Sequence, residues 1–143
     1  MKAAAAILAL AFASPAAAQD VQEEQQPRVD CTAPDGIDEI GFCAGTALDV
    51  AEADMELAYR LALTRAEVLD GDWELRGGAP GGLILRDTIE TSQAAWETHS
   101  EAHCAAFSLS EAEEGQIGIA LALCLERQAR LRESELRLFG EMN

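Results

Sequence analysis

Residues 48–69 read LDVAEADMELAYRLALTRAEVL, and this stretch decides the fold. Apolar side chains recur with helical spacing at Leu48, Ala51, Met55, Ala58, Ala62 and Leu69. Asp49, Glu52, Asp54, Glu56, Arg60 and Glu67 mostly occupy other positions around the cylinder, as an amphipathic helix requires. Toward the N-terminus no proline intervenes back to Asp35, which is placed to cap the helix while Asp38 and Glu39 favour its positive end. Toward the C-terminus, residues 70–82 hold five glycines and a proline in thirteen positions. They read as a loop.

The same periodicity continues beyond that loop. A second helix is expected from about Leu83 to Phe107, with Leu85, Ile89, Trp96, His103 and Phe107 on or near one face. Ser108 to Glu114 reads as a short acidic connection in which Ser110 caps a third helix, Glu111 to Phe139. Ile117, Leu121, Cys124, Leu131 and Leu138 form its apolar stripe, and Gly140 is placed to end it. Alternating β-branched runs are missing. The expected fold is all-α, an antiparallel three-helix bundle stapled by two disulfides, each helix burying one stripe against the other two.

The 143 residues suit one domain, and 26 acidic side chains against ten basic ones give a net charge of −16. That balance excludes nucleic-acid binding through a basic surface, because phosphates need clustered Lys and Arg. Hydrophobic residues make up 49% of the chain, too many for an acidic disordered tail. Residues 1–18 read as a secretory signal peptide: Met1-Lys2, an apolar stretch from Ala3 to Ala13, and small residues Ala16 to Ala18 before Gln19. The apolar part is too short to span a bilayer. Removing this segment takes away Lys2, the only lysine, and leaves nine arginines against 26 acids, a net charge of −17. No cysteine stands at the cleavage point, so lipid attachment is not indicated, and a periplasmic or secreted protein without membrane insertion is expected. Residues 19–34 read as a flexible leader and 35–140 as the helical domain.

Export gives the four cysteines a meaning, because an even set in a small exported domain favours disulfides. The gaps of eleven, sixty and nineteen residues lack the close pairs of a zinc site. If the helices alternate up and down, Cys31, Cys43, Cys104 and Cys124 all lie toward one end of the bundle. Cys43 stands about two turns inside the first helix and Cys124 about three turns inside the third, which brings them to similar heights. That geometry predicts Cys43–Cys124 and Cys31–Cys104. The alternative, Cys31–Cys124 with Cys43–Cys104, makes the leader double back along the bundle.

Several residues now form a joint pattern: Cys43-Ala44-Gly45, then Asp54-Met55-Glu56-Leu57-Ala58-Tyr59, then Ser92-Gln93-Ala94-Ala95-Trp96. Cys104 follows eight residues after the tryptophan, and Cys124 leads into Leu125, Arg130 and Arg132. In this the chain resembles the N-terminal domain of the lysozyme inhibitor LprI family, over roughly Cys31 to Leu136. The resemblance implies an exported four-cysteine helical domain with a protein-binding role, and lysozyme inhibition as its expected function. One departure is plain. Where the family has an aromatic, Arg and Asp after the tryptophan, this chain has His99, Ser100 and Glu101.

Enzyme chemistry finds little support in these residues. His99-Ser-Glu-Ala-His103 lacks the glutamate directly after the first histidine that a zinc-protease helix needs, so Glu101 points about 200° away from His99. His99 is expected in the family's aromatic packing position and His103 at a helix edge; metal carriage by this pair is a lesser alternative. No nucleophile elbow, phosphate loop or dinucleotide fingerprint occurs. No catalytic, metal or cofactor residue is assigned.

A binding role suits the charge. A strongly acidic chain attracts a cationic partner such as a lysozyme over long range, at rates that fall with salt. The expected contact is the loop from Asp70 to Pro80, with Trp73 as an aromatic anchor beside Asp70, Asp72 and Glu74. Trp96 and Tyr59 are assigned to core packing. An envelope accessory protein that touches no lysozyme is the competing reading.

Overall fold

The computed structural model describes residues 29–113 and 115–141; the segments expected to be a signal peptide, 1–18, and most of a leader, 19–34, lie outside them. Three helices account for the domain: α1 (Ile37–Leu75), α2 (Leu85–Glu111) and α3 (Ile117–Glu141), with a short 3-10 turn at Pro80–Gly82 before α2. Gly41 lies against the Ile119 side chain, Asp54 faces Arg130, and Ala58 borders Leu136, so α1 and α3 run parallel. Asp70 meets Leu85 while Met55 meets Gln93, so α2 runs antiparallel to α1. The up-down-up three-helix bundle is as expected.

The first helix extends six residues past Leu69, through Gly71, and so takes in part of the expected loop. An interior glycine costs about 1 kcal/mol relative to alanine, which neighbouring packing can override. What stops α1 is the Gly77-Gly78 pair. Both have φ of +100°, Gly78 N–H donates to Trp73 O at 2.8 Å, and Gly77 N–H donates to Glu74 O at 3.1 Å. This is a Schellman closure, which needs a left-handed residue just past the helix.

The expected caps are not the observed ones. Gly36, at φ +91°, takes the N-cap position of α1, and Asp35 contributes its backbone N–H to Glu39 Oε2 at 2.7 Å. Ser110 lies inside α2, its hydroxyl bonded to Phe107 O, because α2 runs on to Glu111 and α3 does not begin until Ile117. Gly140 is the next-to-last described residue of α3, which is described as far as Glu141.

The core is built from small residues on α1 and larger ones opposite. Ala51, Met55, Ala58, Ala62 and Ala66 meet Ile89 of α2 with Ala129 and Leu136 of α3, and Tyr59, Trp96 and Leu85 pack against this cluster. Four alanines in register let α3 approach α1 closely along much of its length. The faces of α2 and α3 differ from the apolar stripes read in the sequence. His99, His103, Phe107, Leu131 and Leu138 are exposed, while Gln93, Ser100, Cys104, Ser108 and Arg132 are buried. The buried hydroxyls are satisfied within their own helix, Ser100 to Glu97 O and Ser108 to Ala105 O, so small polar residues can line a helix contact.

The disulfides are Cys31–Cys43 and Cys104–Cys124. Neither sequence-derived pairing is correct. With α2 ending at Glu111 and α3 starting at Ile117, Cys104 and Cys124 stand at matching distances from the connection and face each other across it. Both are buried, at 0% and 3% exposure. Cys31 closes locally instead: a turn in which Ala33 N–H donates to Asp30 O brings it back over the early turns of α1. All four cysteines do gather toward one end of the bundle. Height decided that, but the facing sides decided the partners.

Candidate functional site

Extension of α1 puts Asp70, Asp72, Trp73 and Glu74 on the last helical turns, not on a loop. Asp70 is committed to structure. Its Oδ1 accepts from Leu85 N–H at 2.8 Å and its Oδ2 from Arg86 N–H at 3.0 Å, so a residue of α1 caps the start of α2. Ile84, the N-cap residue of α2, supplies no side-chain cap of its own. Replacing Asp70 by alanine should therefore lower stability by about 1–2 kcal/mol. Thermal melting followed by circular dichroism should show a fall of roughly 4–10 °C. An unchanged melting temperature would contradict this capping role.

The other three residues stay at the surface. Asp72 and Arg76 are 4.0 Å apart, and the Arg76 guanidinium stands 5.7 Å from the Trp73 ring, so part of the negative charge is already met within the helix. Trp73 is 39% exposed. It lines a groove of about 190 Å³ with Asp70, Glu74, Ala79, Leu83 and Ile84. The tryptophan is thus neither tucked away nor fully free, and forms one wall of a shallow apolar depression at the bundle end.

A second feature escaped the sequence reading. Between α1 and α2 runs a cleft of about 330 Å³ with Met55, Trp96, Leu125 and Ala129 among its lining residues, beside Glu52 and Glu56 of α1 and Glu97 and Glu101 of α2. Among the described residues, Glu52, Glu97 and Glu101 have no ion-pair partner, and Glu56 meets only the exposed Arg60 at 3.7 Å. Farther along the same seam Arg86 bridges Glu67 of α1 and Glu90 of α2. Tyr59, the single tyrosine, lies on this side of α1. Burial, with the negative fields of Glu90, Glu97 and Glu56, raises its phenol pKa above the ordinary value. The spacing of Glu52 with Glu56 and of Glu97 with Glu101 marks one acidic face per helix. Only the packing of α1 beside α2 makes those faces into opposite rims.

Chemically, this surface can accept cations. Carboxylates on two rims with an indole between them suit an Arg or Lys side chain, through charge and through the face of the ring. His99 and His103 stack at 5.8 Å on the exposed side of α2. Among the described residues no group of three His, Cys, Asp or Glu side chains is gathered closely enough to hold a metal ion. No described helix is long and apolar enough to cross a membrane.

Against known proteins, the family profile described as lysozyme inhibitor LprI matches residues 31–136. No curated protein and no solved structure shows significant similarity.

Proposed function

The chain belongs to the lysozyme inhibitor LprI family, and from that premise we propose that it is an exported binding module that inhibits a cationic lysozyme. Export through the 1–18 signal peptide, to the periplasm or beyond, agrees with two disulfides, which persist in oxidising compartments. The observation that carries the reading is the carboxylate-rimmed seam. Glu52, Glu56, Glu97 and Glu101 surround an apolar floor, and Trp73 with Glu74 lines a separate groove at the bundle end, with Asp72 exposed beside it. A basic side chain of the partner lies over Trp96 between the rims, while Trp73 supplies an apolar contact at the margin. Asp70 takes no direct part; it holds α2 in place behind these residues. Inhibition then comes from occupancy, a rigid body seated over the partner with no bond made or broken.

The test is lysozyme turnover with increasing purified protein, at low and at high salt. Inhibition should weaken as salt rises, since the attraction is long-range and screened. Changing Glu52, Glu56, Glu97 and Glu101 together to glutamine should weaken inhibition about tenfold or more and flatten its salt dependence. Changing Asp72, Trp73 and Glu74 to Asn, Ala and Gln should give a smaller loss. Absence of inhibition at micromolar excess in low salt would remove lysozyme as the partner.

A further inference from the structure

α1 carries a second apolar stripe that the described residues leave half-exposed or more. Val50, Leu57, Leu61 and Val68 are each 47–55% exposed, and Leu75 is 88% exposed. Their spacing of seven, four, seven and seven residues is a heptad a/d pattern, offset around the helix from the alanine stripe that meets α3. Contiguous exposed apolar surface of this kind marks an interaction site more often than it occurs idly. We propose that the stripe is the interface of a homodimer in which two α1 helices pack antiparallel, and this holds independently of lysozyme binding.

Self-complementarity supplies the argument. With the two-fold axis between residues 62 and 63, Val50 of one chain meets Leu75 of the other, Leu57 meets Val68, and Leu61 meets Thr64. Each of these contacts occurs twice. The one acidic residue in the seam, Asp54, falls opposite Gly71, where no side chain crowds it. On the flank, Arg60 of each protomer comes near Glu67 of its mate, a carboxylate that also meets Arg86 of its own chain, so a charge contact there is shared with the α1–α2 seam. Arg60 is held only by an exposed contact to Glu56 and is able to turn toward this partner. Beside Leu61 there is also a hollow of about 250 Å³ lined by Ala58, Leu136, Arg137 and Gly140, which can receive a facing side chain. The stripe is about 38 Å long at the helical rise. Covering it on two protomers removes on the order of 1,000 Å² from water, the lower end of what specific association needs. Two chains of charge −16 repel one another, so the dimer is weak at low salt and tightens as salt rises. That dependence is opposite in sign to the one expected for a cationic partner. The acidic seam lies on the far side of α1 and stays open in the dimer.

Sedimentation equilibrium of the purified protein at tens of micromolar, in low and in high salt, tests this. The expected result is a mass approaching two chains in high salt. Leu61→Glu and, separately, Val68→Glu should each return it to one chain with unchanged helix content. Thr64→Cys, close to the axis, should join two chains through a short thiol cross-linker, whereas Val50→Cys, at the end of the stripe, should not. A single-chain mass under all conditions overturns the proposal, as does a dimer that survives both glutamate variants. Efficient cross-linking at Val50 overturns the antiparallel register.

Discussion

Replacing Cys104 and Cys124 together by alanine should cost about 3 kcal/mol of unfolding free energy, while replacing Cys31 and Cys43 should cost markedly less. Chain entropy alone does not separate the two bridges. They span 12 and 20 residues, and loops of this size are worth about 3 kcal/mol each in that account. The difference lies in the folded state. Cys104–Cys124 is buried and joins α2 to α3 on either side of their connection, so losing it loosens contacts on which the core depends. Cys31–Cys43 ties down a short exposed segment ahead of α1. When that bridge goes, the segment frays locally and recovers conformational freedom without opening the bundle. Urea unfolding should therefore rank the inner pair well above the outer one. Alanine is the proper replacement at the inner site, because a serine there would bury a new hydroxyl. Equal losses for the two pairs would show that constraint of the unfolded chain is the whole effect.

The cysteines also show where sequence reasoning stops. Helix number and direction were legible, because 3.6-residue periodicity and the glycine-rich break are local signals. Heights along the bundle followed from these. Which way a cysteine faces did not, and pairing depends on facing. The same limit applies to the stripes of α2 and α3. An apolar count selects His103, Phe107, Leu131 and Leu138, yet the interface uses Ser100, Cys104, Ser108 and Arg132. Serines whose hydroxyls return to their own backbone behave as small residues, and a periodicity count misses them. The helix end at Asp70 was misplaced for a related reason. Gly71 resembles a breaker locally, but the true stop is the pair of left-handed glycines six residues later.

Legibility of the candidate site divides in the same way. Trp73, Asp72 and Glu74 were visible as an aromatic among acids, and they do lie at the surface. Asp70 was grouped with them by adjacency, although on a helix its neighbours lie three and four positions away, and its carboxylate turns to the backbone of α2. The glutamate-rimmed seam needed two helices brought side by side. Each contributes an ordinary acidic pair, and the cleft exists only once they are packed with Leu125 and Ala129 of α3.

Arg132→Ala should be among the most damaging single changes, about 3 kcal/mol, or roughly 12–15 °C in melting temperature. Arg132 is 6% exposed, with Nε donating to Gln93 Oε1 at 3.0 Å, Nη2 to Ser92 Oγ at 3.1 Å and Nη1 to Glu135 Oε2 at 3.0 Å. Gln93, itself buried, donates through Nε2 to Glu97 Oε1 at 3.1 Å and lies 3.9 Å from Met55 Sδ. The chain of bonds thus runs from α3 through α2 to the edge of α1. Truncating the arginine leaves Gln93 Oε1 buried without a donor and opens a cavity, and both effects have the same sign. A double-mutant cycle separates them. Arg132→Met fills the space but orphans the amide, and Gln93→Leu does the reverse, leaving a buried guanidinium short of an acceptor. Made together, the two changes remove donor and acceptor at once. The pair should then cost about 1–2 kcal/mol less than the sum of the single losses. Strict additivity would mean that Arg132 acts by filling volume alone, and that the polar line across the bundle does not specify how α2 seats on α3.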